Sequence, residues 1–216
     1  MSEVAVHLAE PDPLREPWSD LARQQEAATF GMWLFLMSEM LFFGTVFMAF
    51  AFTRALNVAD FQAAARETEI AYGGSNTAVL VTSSLTITLA VRAAGANLRR
   101  LAAGLLALTA LLGFAFLIVK GFEYRSDLEH RLFPGHDFKL GQTATEIFWA
   151  FYWITTGVHA VHLAIGVGLV SRLAWLVRKN RLSLHSPQLE VTSLYWHLVD
   201  AFWLVLFPVL YIMGRG

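Results

Sequence analysis

The chain has 216 residues, of which 56% are hydrophobic and 15% are charged, and its formal net charge is −1. Because globular chains carry about 25% charged residues, this composition is typical of a polytopic membrane protein, and the near-neutral charge points to no nucleic-acid partner. Cysteine is absent, which excludes disulfides, iron–sulfur clusters, thiolate-ligated copper and cysteine nucleophiles.

Five apolar segments follow a polar start of the chain. Residues 1–27 are polar and contain prolines, which predicts a solvated N-terminal arm ahead of a membrane domain over residues 28–216. Crossing a bilayer core takes roughly 20 helical residues, and no segment alternates like a barrel strand. We therefore predict an all-α integral membrane protein, a bundle of five transmembrane helices over residues 29–52, 70–91, 101–119, 147–170 and 191–213.

Lysine and arginine are concentrated in the loops that follow the second and fourth segments. The positive-inside rule then places these loops and the N-terminus in the cytoplasm, and the C-terminus on the external side. Basic clusters between helix ends also attract anionic lipid head groups, although the same residues could serve only to set the topology. The candidates for phospholipid binding are Arg92, Arg99, Arg100, Arg172, Arg178, Lys179 and Arg181.

One carboxylate, Glu39, interrupts the first apolar segment near its middle. A charge at the centre of a membrane helix costs at least about 2.5–3.5 kcal/mol on insertion scales, so an intramembrane carboxylate is a functional candidate. No lysine or arginine shares this segment, so we expect Glu39 to be protonated at neutral pH and to donate a hydrogen bond. Either it modulates the proton chemistry of a neighbouring subunit, or it merely bonds to a backbone carbonyl or to Ser38.

Other ionisable side chains lie in or next to the later segments. His159 and His162 are three residues apart, as are His197 and Asp200, and each pair shares one helix face. The histidines could form hydrogen bonds to Glu123 or to hydroxyl groups, or His197 could bind a haem together with a histidine of the fourth segment. Intramembrane histidines are too few for a haem–copper centre, and a dicopper site needs thiolates. We therefore predict no metal-binding or catalytic residue.

Four short motifs occur in order along the chain and resemble those of subunit III of the haem–copper oxidases. One motif is Glu123-Tyr124, which follows the third segment. The other three are SEMLFF at residues 38–43, TGVHAVH at 156–162 and YWHLVD at 195–200. The resemblance covers residues 28–213 and is to the five-helix bacterial form, because longer members of that family have two additional N-terminal helices.

The resemblance implies a subunit without redox centres in a proton-pumping respiratory oxidase of the bacterial inner membrane. Its partners would be the catalytic subunit I and subunit II, which would hold the haem and copper, together with bound phospholipids. It would support proton uptake and turnover stability of the catalytic subunit. The alternatives are the related subunit of a ubiquinol oxidase or nitric oxide reductase, a haem b quinone-binding anchor using His197, and a transporter, although no inverted repeat is visible.

Overall fold

The structure is a computed structural model that describes residues 20–135, 138–141 and 143–213. These ranges form six α-helices and a short π-helical segment, and they contain no strand. The elements are α1 (Leu21–Leu56), α2 (Val58–Arg66), α3 (Ile70–Gly95), α4 (Arg99–Glu129), α5 (Thr143–Arg178), α6 (Pro187–Phe207) and the π-helical segment Pro208–Ile212. Five helices are long and apolar enough to cross a membrane. The predicted all-α bundle of five membrane-spanning helices is therefore confirmed.

The first helix begins before the predicted start of the membrane domain. Asp20 caps the helix, because its Oδ1 accepts a hydrogen bond from the backbone N–H of Arg23 at 2.8 Å. Helix α1 thus starts at Leu21, and the preceding part of the predicted polar arm lies outside the described residues. Its 36 residues rise about 1.5 Å each, so α1 is longer than the bilayer core of about 30 Å.

A short amphipathic helix that was not predicted, α2, connects the first two membrane-spanning helices. Phe61, Ala64 and Ala65 form its buried side. The Phe61 ring packs against Phe50 of α1 and Phe148 of α5, with centroid distances of 5.4 and 5.6 Å. Helix α2 therefore fills the space between α1 and α5 at one end of the bundle.

Tryptophans of α6 fill the centre of the bundle. Trp196 and Trp203 are fully buried, and their large rings contribute much of the packing between helices. The indole N–H of Trp196 donates to Ser83 Oγ, and that of Trp203 donates to Thr77 Oγ1, each at 3.0 Å. Both polar acceptors belong to α3, so these hydrogen bonds fix the position of α6 against that helix.

Helix α6 changes its winding at Pro208. Proline has no N–H group and cannot continue the helical hydrogen-bond pattern, and the chain continues as the π-helical segment Pro208–Ile212. Tyr211 of this segment is fully buried. The altered winding thus places a phenol from the end of the chain inside the bundle.

Candidate functional site

An ion pair is buried near the C-terminal end of α4. Lys120 Nζ lies 3.1 Å from Glu123 Oε2, and both side chains are only 2% exposed. The two residues are three apart and share a helix face, on which Asp127 lies one turn further along. Because a buried unpaired charge costs several kcal/mol, the ammonium group depends on the partners around it.

Two tyrosines from other elements surround this ion pair. Lys120 Nζ donates to the hydroxyl of Tyr152 at 3.0 Å and to that of Tyr211 at 2.8 Å. The Tyr152 hydroxyl lies 2.8 Å from Glu123 Oε1 and 2.8 Å from Asp127 Oδ2, and the Tyr211 hydroxyl donates to Glu123 Oε1. We call these five residues the buried lysine cluster. It joins α4, α5 and the π-helical end of the chain.

Aromatic rings enclose the ammonium group of this cluster. Lys120 Nζ lies between 4.6 and 5.6 Å from the ring centroids of Tyr124, Tyr152, Trp203 and Tyr211. At such distances the negative faces of the rings attract a cation. An amine, two carboxyls and two phenols in mutual contact can exchange protons, and this is the chemistry that the arrangement supports.

The intramembrane carboxylate of α1 has a partner on α5. Glu39 Oε2 lies 3.2 Å from His162 Nε2. The other ring nitrogen of His162, Nδ1, lies 2.9 Å from the carbonyl oxygen of Val158. A carbonyl oxygen only accepts, so Nδ1 carries a hydrogen. The other ring nitrogen, Nε2, therefore faces the Glu39 carboxyl.

This pairing changes two expectations about Glu39. The expectation considered only lysine and arginine of its own segment, whereas the structure places a histidine of α5 next to the carboxyl. Ser38, considered as a hydrogen-bond partner, instead donates to the carbonyl oxygen of Phe35 at 2.7 Å. The Glu39–His162 pair therefore ties α1 to the rest of the bundle.

The ionisable pair of α6 faces the hydroxyl-rich side of α3. Ser84 Oγ donates to Asp200 Oδ2 and lies 3.2 Å from His197 Nδ1. The other ring nitrogen of His197, Nε2, lies 3.3 Å from Thr88 Oγ1. Hydroxyl groups thus engage both nitrogens of His197 and one oxygen of the buried Asp200 carboxyl.

His159 lies among aromatic rings. Its ring centroid is 5.6 Å from that of Phe116 and 5.2 Å from that of Trp203, and the side chain is buried. Neither ring nitrogen makes a hydrogen bond to another described residue. The expectation that His159 bonds to Glu123 or to a hydroxyl is therefore wrong, and the ring contributes packing.

The described histidines lie apart and face different partners. Within the ranges given above, no three His, Asp or Glu side chains converge in a way that could hold a metal ion. His162 Nε2 faces Glu39, and both nitrogens of His197 face hydroxyls of α3. This set of engaged nitrogens does not fit a haem held by His197 and a histidine of α5.

Three of the predicted lipid-binding arginines line one groove. Arg99 and Arg100 at the start of α4 and Arg178 at the end of α5 border a groove of about 840 Å³. Arg99 also donates to the carbonyl oxygens of Val177 at 3.1 Å and Leu182 at 2.9 Å, so it caps the end of α5. We call this the arginine groove, and it lies at the opposite end of α4 from the buried lysine cluster.

The other four predicted lipid-binding residues lie outside the arginine groove. Arg172 borders a second, smaller groove of about 400 Å³ between α5 and α6. The Arg181 guanidinium lies 5.1 Å from the ring centroid of Trp175, and Arg92 and Lys179 are exposed. The structure thus brings three of the seven basic candidates together in one place.

Four residues of the buried lysine cluster were not among the predicted site residues. Of its five members, only Glu123 was a predicted site residue. The spacing of Lys120, Glu123 and Asp127, three and then four residues apart, places all three on one helix face and is the signal that identifies them. No local pattern connects them with Tyr152 or Tyr211, which come from distant parts of the chain.

Comparisons with known proteins agree with the motifs. The family described as cytochrome c oxidase subunit III matches residues 21–215. The chain is 33% identical over 187 residues to cytochrome c oxidase subunit 3 of Alkalihalophilus pseudofirmus, covering 86% of each chain. It is 31% identical to the subunit of the same name from Bacillus subtilis, covering 85% of each. It is 28% identical to cytochrome bo(3) ubiquinol oxidase subunit 3 of Pseudomonas aeruginosa, covering 86% of this chain and 84% of the other.

Fold and site together define a multi-pass membrane protein whose ionisable side chains pair with one another inside a five-helix bundle. The chain belongs to the cytochrome c oxidase subunit III family, and it is an accessory subunit of a haem–copper oxidase. The family resemblance predicted from the motifs is confirmed.

Proposed function

We propose that this chain is the third subunit of a proton-pumping terminal oxidase in a bacterial cell membrane. It assembles with a catalytic subunit I and a subunit II, which hold the haem and copper, and it supports proton uptake and turnover stability of subunit I. Its N-terminus faces the cytoplasm, which the basic loops at one end of the bundle favour. The observation that carries this proposal is the Glu39–His162 pair.

The Glu39–His162 pair lies on a side of the bundle that is only partly covered. The two side chains are 18% and 22% exposed, respectively, in the chain by itself. Polar groups in contact with lipid are costly and usually face protein or water. A helix of subunit I over this side of α1 would remove that cost, and the neighbouring face, which includes Met40, Gly44 and Met48, offers it apolar surface.

The Glu39→Gln variant tests whether this pair modulates the oxidase or takes part in catalysis. Glutamine keeps the shape and one hydrogen bond but removes the titratable proton. We expect the complex to assemble and to start oxygen reduction at nearly the wild-type rate, and then to lose activity faster during turnover. The measurement is oxygen consumption by the purified complex with reduced cytochrome c, followed until activity declines.

Glu26→Gln is the matched control, because Glu26 is an exposed carboxylate on the same helix. It should leave both the initial rate and the decay of activity unchanged. Complete loss of oxygen reduction in a fully assembled Glu39→Gln complex would mean that Glu39 is catalytic. An unchanged decay of activity would mean that the pair has only a packing role.

Cytochrome c is the proposed electron donor. Relatives at 33% and 31% identity are named as cytochrome c oxidase subunits. The second candidate is a quinol oxidase, which the relative named as a ubiquinol oxidase subunit at 28% identity favours. Electron donor and acceptor are properties of the catalytic partner rather than of the residues in this bundle.

The arginine groove is the proposed site for an anionic phospholipid. Three arginines line it where α4 begins and α5 ends, at the end of the bundle proposed to face the cytoplasm. Basic pockets of this kind between helix ends bind phosphate-containing head groups. Arg99 already caps α5, so Arg100 and Arg178 remain the side chains available to a lipid.

Replacing Arg100 and Arg178 together by glutamine is expected to weaken the binding of phosphatidylglycerol or cardiolipin. Each basic residue near a membrane surface contributes about 1 kcal/mol, so loss of two corresponds to roughly 30-fold weaker retention. Native mass spectrometry of the complex measures the bound lipid. The control is Arg92→Gln with Lys179→Gln, which removes the same charge outside the groove. Equal lipid loss in both double variants would indicate general surface charge rather than a site.

A further inference from the structure

The contacts of the buried lysine cluster require more hydrogens than its amine and phenols supply. Lys120 Nζ contacts two phenol oxygens, at 3.0 and 2.8 Å. Its third contact, with Glu123 Oε2 at 3.1 Å, is an ion pair rather than an aligned hydrogen bond. The ammonium group therefore donates to the two tyrosines, and it supplies no hydrogen to the contacts between phenols and carboxyls.

Contacts between phenols and carboxyls make up the rest of the cluster, and there are three of them. Tyr152 contacts both Glu123 and Asp127, and Tyr211 contacts Glu123. A phenol has one hydrogen to donate, so two phenols supply two of the three contacts. An oxygen–oxygen contact of 2.8 Å without a hydrogen is repulsive. The third hydrogen must therefore belong to a carboxyl.

Asp127 is the carboxyl with less support for a negative charge. Glu123 has the ammonium group of Lys120 at 3.1 Å and accepts from Tyr211. Asp127 is 4% exposed, and its only described side-chain hydrogen bond is the one with Tyr152. With Asp127 neutral, Lys120 and Glu123 balance each other. With Asp127 ionised, the cluster carries a net negative charge away from water, which is costly.

We propose that the buried lysine cluster is a binding site for one exchangeable proton, held on Asp127 and donated to the Tyr152 hydroxyl. Tyr152 in turn donates to Glu123, and Tyr211 does the same. This arrangement gives each contact one hydrogen. The site lies at the C-terminal end of α4, close to the loop that follows, and the half-buried Ser126 next to it donates to Glu69 Oε1 at 3.2 Å.

The titratable groups around Asp127 come from several elements. Tyr152 of α5 bonds to Asp127 itself, Tyr211 of the π-helical segment bonds to Glu123, and α4 contributes the ion pair, with Tyr124 beside Lys120. Glu69, which precedes α3, adds a further negative charge nearby. A negative charge on Glu69 disfavours a second negative charge on Asp127. The lack of a positive group paired with Asp127 has the same effect.

Infrared spectroscopy of the purified complex at neutral pH tests this proposal, because a protonated carboxyl has its own C=O stretching band. We expect an acid band that moves when aspartate is labelled with ¹³C at its side-chain carboxyl, and that shifts in D₂O. Asp127→Asn should remove this band. Glu129→Gln is the matched control, since Glu129 is exposed on the same helix turn and pairs with Arg125, and it should leave the band unchanged.

Two results would overturn the proposal. One is the absence of any aspartic-acid band in the labelled wild-type complex, which needs no variant. The other is a labelled acid absorption that is as intense in Asp127→Asn as in the wild type, since any remaining absorption must come from another aspartate such as the buried Asp200. If that variant does not assemble, Tyr152→Phe replaces it, because Asp127 then loses its hydrogen-bond acceptor and its band must shift. A labelled acid band that Tyr152→Phe leaves unshifted would contradict the assignment, and a band that moves only with labelled glutamate would place the proton on Glu123.

Discussion

A complex that carries Lys120→Met is expected to lose this subunit at temperatures at which the wild-type complex retains it. The substitution leaves Glu123 buried without its counter-ion and removes a donor to both Tyr152 and Tyr211. Breaking a buried ion pair by removing one partner costs about 3–5 kcal/mol. Methionine has a similar length, so changes in packing contribute little. The measurement is the fraction of complexes that keep the subunit after stepwise heating in mild detergent.

Lys139→Met provides the control for this effect. Lys139 Nζ lies 2.8 Å from Glu67 Oε2, but the two side chains are 46% and 35% exposed. Exposed ion pairs contribute about 0–1 kcal/mol, so this variant should retain the subunit almost as well as the wild type. Equal retention in Lys120→Met and Lys139→Met would mean that the buried lysine cluster does not stabilise the bundle.

A methyl group at Gly113 is expected to destabilise the centre of the bundle by about 1–3 kcal/mol, the usual cost of overpacking. A Cβ atom there would lie 2.6 Å from Cη2 of Trp196 and 2.8 Å from Cγ2 of Val167. Trp196 cannot move away easily, because its indole N–H is bonded to Ser83 and its ring is in close contact with Gly166. Helices α4 and α5 would therefore have to separate.

The same heating experiment measures this effect, with Gly121→Ala as the control on the same helix. No atom lies within 4 Å of a Cβ placed at Gly121. Alanine is favoured over glycine inside a helix by up to about 1 kcal/mol, so Gly121→Ala should be neutral or slightly stabilising. A Gly113→Ala complex as stable as the wild type would show that Trp196 can repack.

The membrane-spanning helices could be predicted because their signal is local. Each is a largely apolar run of sufficient length. Four of the five predicted segments lie within helices of the structure, and the fifth runs through α6 and the π-helical segment to one residue beyond Ile212. Helix α2 escaped prediction because its buried side consists of three residues, Phe61, Ala64 and Ala65. The early start of α1 escaped prediction because its first turns are polar and continue the same helix beyond the apolar run.

Only some members of the candidate site could be predicted, and none of their contacts across helices could be. Glu39 stood out because a carboxylate in an apolar run is costly, but the histidine that pairs with it, His162, lies on another helix. His159 and His162 share the spacing of one motif, yet one is packed among aromatic rings and the other pairs with a carboxyl. A small rotation about the axis of α5 separates these two environments, and sequence spacing does not specify which neighbour each residue meets.

The membrane class, the number and order of the spanning helices, and the motifs that identify the family could all be read from local sequence. These depend on hydrophobic runs and short spacings along one chain segment. Which polar groups neutralise one another became visible only in the packed bundle. Lys120 and Tyr211 are 91 positions apart, and they meet because α6 packs on α3 and the chain changes its winding at Pro208. Partners inside a membrane bundle are set by which helices are neighbours and how each is rotated, and both follow from the packing of all the helices together.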